Sequence, residues 1–313
     1  MNEDFIAQQL APIIAEMRQE RQMRGMNLDE QGLIFARDLI STSNTLYKVE
    51  MPQPIAISLF AQEPGVTEAS QFVSYRMYTA EGMAKIMANF GTDMPMLGVK
   101  GAEFFAKMYP LGLGYGYTYF EMLAAAQSGT PLNNIQGMET REAHERTVSN
   151  IIWLGNAEYQ IIGFLDHPNI PQVAVTGGWA SATDDVILDD VGSIISAVNS
   201  SVIYRCSEFH MPTKAWTRIE GMRLSGTDRT VLSYLQNAYR NVTFRENSDL
   251  DGRGVCMAMM NNIRNFSQAT PSLFRQHSPQ QKGLDISIPC TSKTAGVIVR
   301  APLAAAISSQ VIQ

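Results

Sequence analysis

The sequence predicts an α+β fold organised around one long helix. Residues 131–155, PLNNIQGMETREAHERTVSNIIWLG, carry helix signals at both ends. β-type runs lie on either side of it, at 71–79, 97–108, 201–206, 254–260 and 285–290. The elements do not follow the regular βαβ alternation of a parallel-sheet enzyme.

Composition narrows the possibilities. The chain has 313 residues, 45% hydrophobic and 17% charged, enough for one large domain or two modest ones. No apolar run approaches the roughly 20 residues of a membrane helix. The acidic start, MNEDFIAQQLAPII, lacks the basic region of a secretory signal. Because the chain begins at Met1, no removed propeptide is expected. Twenty-four basic against 30 acidic residues leave no overall basic footprint for phosphate neutralisation. Cys206, Cys256 and Cys290 have no CxxC spacing and read as small buried hydrophobes in a reduced compartment. Eighteen methionines favour extensive packed or interfacial surface.

The elements follow in order. Residues 3–24 place Phe5, Ile6, Leu10, Ile13, Ile14 and Met17 on one helical stripe, kinked at Pro12, that needs a docking surface. The segment 45–79 holds short β-type runs around a turn-rich patch, with Pro52 and Pro54 in the first run. An extended excursion follows, with strands near 71–79 and 97–108 and a flexible tip bearing Met87, Phe90, Met94 and Met96. An isolated hairpin is marginal in water, so this one needs a partner surface.

A short Ala-rich helix spans 119–129, stopped by Gly129. The long helix then starts with Thr130 as cap and Pro131 at its first position, and ends at Gly155. At 1.5 Å per residue it is a rod of roughly 35 Å. Its apolar residues, among them Leu132, Ile135, Met138, Val148, Ile151, Ile152 and Leu154, predict packing at both ends. Its polar middle predicts solvent or another polar surface there. Further helices are expected at 183–199, capped by Thr183, and at 227–239.

Candidate chemistry is sparse. Glu139, Glu142 and Glu145 share a helical face, but a di-iron site needs Glu-x-x-His on two helices. His144 falls on a different face, and Arg141 and Arg146 are local charge partners, so a salt-laced surface is expected. Asn247, Asp249, Asp251 and Gly252 imitate the start of an EF-hand loop, but its twelfth position is Ala258, so a polar turn is expected. Gly112, Gly114 and Gly116 lack dinucleotide-loop spacing and predict close backbone approach or a hinge. His144, His167, His210 and His277 are scattered, and no GxSxG elbow occurs. No catalytic residue, metal ligand or cofactor is nominated, and an enzyme is the remote reading.

The pieces together resemble the major capsid proteins of tailed bacteriophages, which have the HK97-like fold that encapsulin nanocompartments share. The residues carrying the likeness are Gly116-Tyr117-Thr118-Tyr119, Gly129-Thr130-Pro131-Leu132 before the long helix, and Gly155 after it. Gly163-Phe164-Leu165 with Pro168, Trp179, the run Asp185 to Val191 and the closing GVIVRAP (296–302) add to it. The likeness is good over 115–195 and looser over 70–312.

The resemblance implies an N-terminal arm (1–45), lead-in strands (46–69) and an E-loop (70–118) that lies over a neighbouring subunit. A P-domain (119–199) with spine helix 131–154, an A-domain (200–285) at hexamer and pentamer axes and a C-terminal strand (286–313) complete it. It implies a shell enclosing double-stranded DNA without sequence-specific contacts, with portal, scaffolding and cement proteins as partners and no membrane. Expected inter-subunit contacts are Met87, Phe90, Met94, Met96, Glu139, Arg141, Glu142, Glu145 and Arg146. Some relatives form Lys–Asn cross-links. Lys85, Lys100 and Lys107 lie in the excursion without an assignable partner, so none is expected here. An encapsulin-like cargo shell is the alternative.

Overall fold

The computed structural model describes residues 53–81, 96–128, 132–176 and 178–312. The helix expected over 3–24, the cap at Thr130 and Pro131, and Met87, Phe90 and Met94 lie outside the described residues. A single helical turn, α1 (Ala56–Leu59), leads into the long pair β1 (Phe72–Glu81) and β2 (Gly98–Lys107). Next come β3 (Tyr109–Gly112), β4 (Tyr115–Thr118), α2 (Tyr119–Ser128) and the spine helix α3 (Leu132–Leu154). Short strands β5 (Gly155–Asn156), β6 (Ile161–Ile162) and β7 (Gln172–Val173) precede α4 (Asp184–Asn199), β8 (Glu208–Met211) and α5 (Thr213–Gly221). Then follow α6 (Val231–Ala238), β9 (Thr243–Glu246), β10 (Val255–Met259), β11 (Phe266–Gln268) and β12 (Ser272–Gln276). The chain closes with β13 (Gln280–Lys282), β14 (Asp285–Ile288), β15 (Cys290–Thr294), β16 (Val297–Val299) and β17 (Ala305–Gln310).

β10 reads Val-Cys-Met-Ala-Met, apolar at every position, and every residue is buried. Such a run belongs to a strand covered on both faces. It is the middle of a five-stranded mixed sheet, ordered β7-β17-β10-β8-β9. Because side chains alternate, the strand serves two cores. Val255, Met257 and Met259 pack with Phe60, Ile152, Trp153, Phe164 and Phe266. Cys256 and Ala258 join Trp179, Ile187, Ile194, Phe209, Ile219 and Leu235 on the other side. The spine helix therefore contributes to one core, and α4, α5 and α6 to the second.

Several local expectations are corrected. Within the β-type run expected over 45–60, residues 56–59 form a helical turn, because the Asp249 carboxylate accepts the Ile55 and Ala56 N–H groups at 2.9 and 3.2 Å. Those donors would otherwise stand unpaired at a helix start. Residues 201–206 form no strand. Asn199 holds the segment to the end of α4 by accepting from Arg205 and from the Cys206 N–H, so ladder pairing begins only at Glu208. The run expected over 285–290 is cut at Pro289, which lacks an N–H. β14 pairs with β4, whereas β15 pairs with β3 in another sheet. Thr183 stands at the N-cap of α4 without a side-chain cap bond. The helix expected from 227 starts at Val231, where Thr230 accepts from the Ser233 N–H at 3.3 Å.

Two glycines are required by close approach. A Cβ on Gly116 would stand 2.7 Å from the Ile286 carbonyl oxygen across the β4–β14 pair, as expected of this glycine cluster. Gly155 ends the spine helix at φ +71°, and a Cβ there would lie 2.2 Å from the Ile161 carbonyl oxygen.

The spine helix packs at its C-terminal end through Val148, Ile151 and Ile152 as expected, with two exceptions among the residues named for packing. Met138 and Leu154 are exposed, and the described part of its buried face runs through Thr140, His144, Val148, Ser149, Ile151, Ile152 and Trp153. The polar middle is crossed by a polar surface of the same chain. His144 Nδ1 lies 2.9 Å from Ser292 Oγ, Nε2 lies 3.2 Å from the Leu113 carbonyl, and Phe274 packs edge-on against the ring. Near the C-terminal end, Asp249 gathers the structure. Its Oδ2 accepts from Trp153 Nε1 at 2.8 Å and Ser149 Oγ at 3.0 Å, besides the two amides preceding α1. Asp190 repeats the device in the second core, accepting from Trp179 Nε1 at 2.8 Å and the Thr176 N–H at 2.9 Å.

Asp249→Ala leaves a buried indole N–H and a helix start without an acceptor, and is expected to cost about 3 kcal/mol. Asp249→Asn, which keeps the shape and loses the charge, costs about half as much. Urea unfolding of the unassembled subunit, read by Trp fluorescence, checks both.

Candidate assembly surfaces

The most conspicuous unsatisfied surface is the β1–β2 ribbon. Its ten antiparallel pairs run from Phe72–Lys107 to Glu81–Gly98. Directly opposed residues share a face. One face therefore carries Phe72, Phe105, Tyr78 and Val99, all exposed, with Tyr78 at 80%. On the other, Tyr75 stacks on Phe104 with ring centroids 5.2 Å apart, and Val73 anchors the base against Met108, Ala269, Ala295 and Ile298. Arg300 caps that anchor, 5.5 Å over the Tyr75 ring and 2.5 Å from Glu63. Cross-strand ion pairs, Arg76–Glu103 at 3.1 Å and Lys100–Glu81 at 3.3 Å, hold the register further out. Scattered exposed apolar residues are ordinary, but several large ones gathered on one ribbon face, here on either side of the Arg76–Glu103 pair, mark an interaction site.

Two further patches accompany the ribbon. Tyr119, Phe120 and Leu123 on α2 are exposed, and the Tyr119 N–H donates to Leu284, itself exposed in the β13–β14 turn. Val202 (92% exposed) and Ile203 stand in the loop after α4.

Of the nominated contact residues within the described part, Met96 is 88% exposed beside the ribbon. Arg141 pairs with Glu145 at 2.8 Å and Arg146 with Glu142 at 3.0 Å, each one helical turn apart. That is the salt-laced surface expected, worth only a few tenths of a kcal/mol per pair. Glu139 is exposed on the same helix. Sequence reading passed over Phe72, Tyr78, Phe105, Val202 and Ile203. Phe72 and Tyr78 have the period-2 spacing of one strand face, but beyond Val73 and Tyr75 both faces of β1 are exposed, which gives little contrast between inside and outside.

The chemistry-bearing residues are engaged separately. His210 is buried with Nε2 3.2 Å from Glu208, whose carboxyl is held below its ordinary pKa chiefly by that hydrogen bond. His277 meets Thr291 at 2.8 Å, and His167 accepts from the Asn169 N–H. The EF-hand-like turn spends its carboxylates on N–H and O–H donors, Asp251 accepting the Thr213 amide at 2.6 Å. Burial pushes the Cys206 thiol up to about 11 and raises Cys256 as well, so both stay protonated near neutrality.

A body with two packed cores and an apolar ribbon uncovered among the described residues fits a structural subunit of a larger assembly. The family described as major capsid protein matches residues 82–310, well over half of the chain, and the chain belongs to that family. No curated protein sequence matches it. Among solved structures, the capsid of Myoviridae phage XM1 is similar at TM-score 0.76 and 17% identity, covering 89% of this chain and 99% of that one. A Gordonia phage Cozz structure is similar at TM-score 0.64 and 13% identity, covering 92% and 98%. The capsid of an empty GTA particle is similar at TM-score 0.59 and 11% identity, covering 87% and 95%. At these identities the likeness shows the fold, which is the α+β HK97-like capsid fold. The protein is a shell-forming structural component of the virion. The encapsulin-like alternative is not favoured.

Replacing Tyr78 and Phe105 by Ser is expected to leave subunit stability within about 0.5 kcal/mol, since both are solvent-facing. Particle yield, read by sedimentation, is expected to fall sharply.

Proposed function

We propose that this chain builds the icosahedral head shell that encloses the double-stranded DNA of a tailed phage. The observation that carries the reading is the β1–β2 ribbon, whose aromatic face has no cover within the described chain. In this reading residues 70–118 are the E-loop and lie over a neighbouring copy. The spine helix is a strut of the P-domain (119–199), and its charged face, with Glu139, Arg141, Glu142, Glu145 and Arg146, meets neighbours. Residues 200–285 form the A-domain around hexamer and pentamer axes, where Val202 and Ile203 supply apolar contact. The arm (1–45), the lead-in (46–69) and the C-terminal segment (286–313) complete the subunit.

Repeated heterologous contacts that close produce a shell. The excess of acidic residues suits a container whose DNA is held without sequence-specific contacts. Portal, scaffolding and cement proteins are the partners of such a head, and assembly takes place in the host cytoplasm. The chain performs no catalysis in this role, and its lysines form no covalent cross-link.

Electron microscopy of the purified protein tests the reading. Closed shells with five-fold vertices are expected. A compact monomer that persists at high concentration, with residues 70–118 protected from protease, contradicts it.

A further inference from the structure

A cleft of about 560 Å³ opens at the base of the ribbon, between its root and the β12–β15–β3 sheet. Its walls gather Lys107, Arg275, His277 and Lys293 around one carboxylate, Glu68. Glu68 is already committed. Arg275 Nη1 pairs with it, and a hydrogen bond from Ser272, the largest contribution, helps hold the carboxyl below its ordinary pKa. Lys293 Nζ donates to the Glu68 backbone carbonyl at 2.7 Å, and Lys107 Nζ lies over the Tyr109 ring at 5.0 Å. His277 is spent on Thr291. Among the described residues neither lysine meets a carboxylate. Two lysines thus line one recess of a chain with net charge −6, each engaged among the described residues by a neutral group. With Glu68 matched by Arg275, the two lysines leave the lining net positive, and such a recess attracts a ligand of the other sign.

We propose that this cleft is a socket for a carboxylate side chain of a second copy of this chain, bound by Lys107 and Lys293. The proposal rests on the shell reading above and adds a polar latch beside the apolar ribbon. A protein carboxylate fits better than a nucleic-acid backbone. Glu68 sits inside the recess and repels a run of phosphates, whereas a single carboxylate needs only the two lysines, with Glu68 already neutralised by Arg275. Met108 and Pro110 give the floor an apolar part that a side-chain stem covers. The acidic excess of the chain supplies the partner group.

The test uses particles co-assembled from nitrogen-14 and nitrogen-15 copies, treated with a zero-length carbodiimide and analysed by mass spectrometry. A Lys107 or Lys293 peptide joined to an acidic peptide of the opposite label is expected. The Lys100–Glu81 pair gives a same-label control link. In parallel, the Lys107→Gln/Lys293→Gln variant is expected to lower the apparent assembly constant by up to about fivefold per contact at low salt. It should also flatten the salt dependence while melting as the wild type does. Particles that give the control link but join these lysines only to Glu68, or to nothing, overturn the socket and leave the shell reading standing. A mixed-label link lost on adding double-stranded DNA, with weaker DNA binding by the variant, assigns the cleft to phosphate and also overturns it. A wild type that forms no particle overturns both readings.

Discussion

One carboxylate oxygen ties three distant parts of this chain together. Asp249 Oδ2 receives the indole of Trp153, the hydroxyl of Ser149 and the two amides before the first helical turn. Segments nearly 200 residues apart in sequence are thereby locked at one end of the spine helix. The carboxylate is half-buried, and the donors that converge on it replace the water it loses. The same arrangement of tryptophan and aspartate recurs at Trp179 and Asp190 in the second core. With both cores fixed, the central sheet between them is rigid on each face.

That rigidity gives the ribbon its meaning. A two-stranded ribbon alone is marginal, and its aromatic strip is costly to leave in water. Among the described residues the ribbon is held at its root, through Val73, Tyr75 and Arg300. The rest of its apolar area can be removed from water only by something outside the described chain. On the reading proposed above that something is another copy, so assembly and completion of the apolar packing are one process.

How much of this was legible in the sequence depends on where each signal is stored. The spine helix announced itself by length and by Gly155, and β10 by its unbroken apolar run. Both are local properties. The helical turn at Ala56–Leu59 was not legible, because its start is held by an aspartate almost 200 residues away. His144 was placed correctly off the glutamate face, yet its burial follows from Ser292, Leu113 and Phe274, three segments that no helical wheel contains. Residues 201–206 look like a strand by composition, but the Asn199 side chain captures their backbone first. The exposed ribbon was foreseen through its pairing and glycines. Its exposed aromatics Phe72, Tyr78 and Phe105 were not legible as a surface, because their spacing alone does not say which face of a strand is covered.

Oxidative footprinting of the ribbon before and after assembly reads the central claim most directly. Phe72, Tyr78 and Phe105 should be labelled readily in the free subunit and become strongly protected in the shell, while buried Trp179 stays protected in both. Equal labelling of the three aromatics in free subunit and shell would mean that nothing covers the ribbon. The account of a subunit completed by its neighbours would then be wrong.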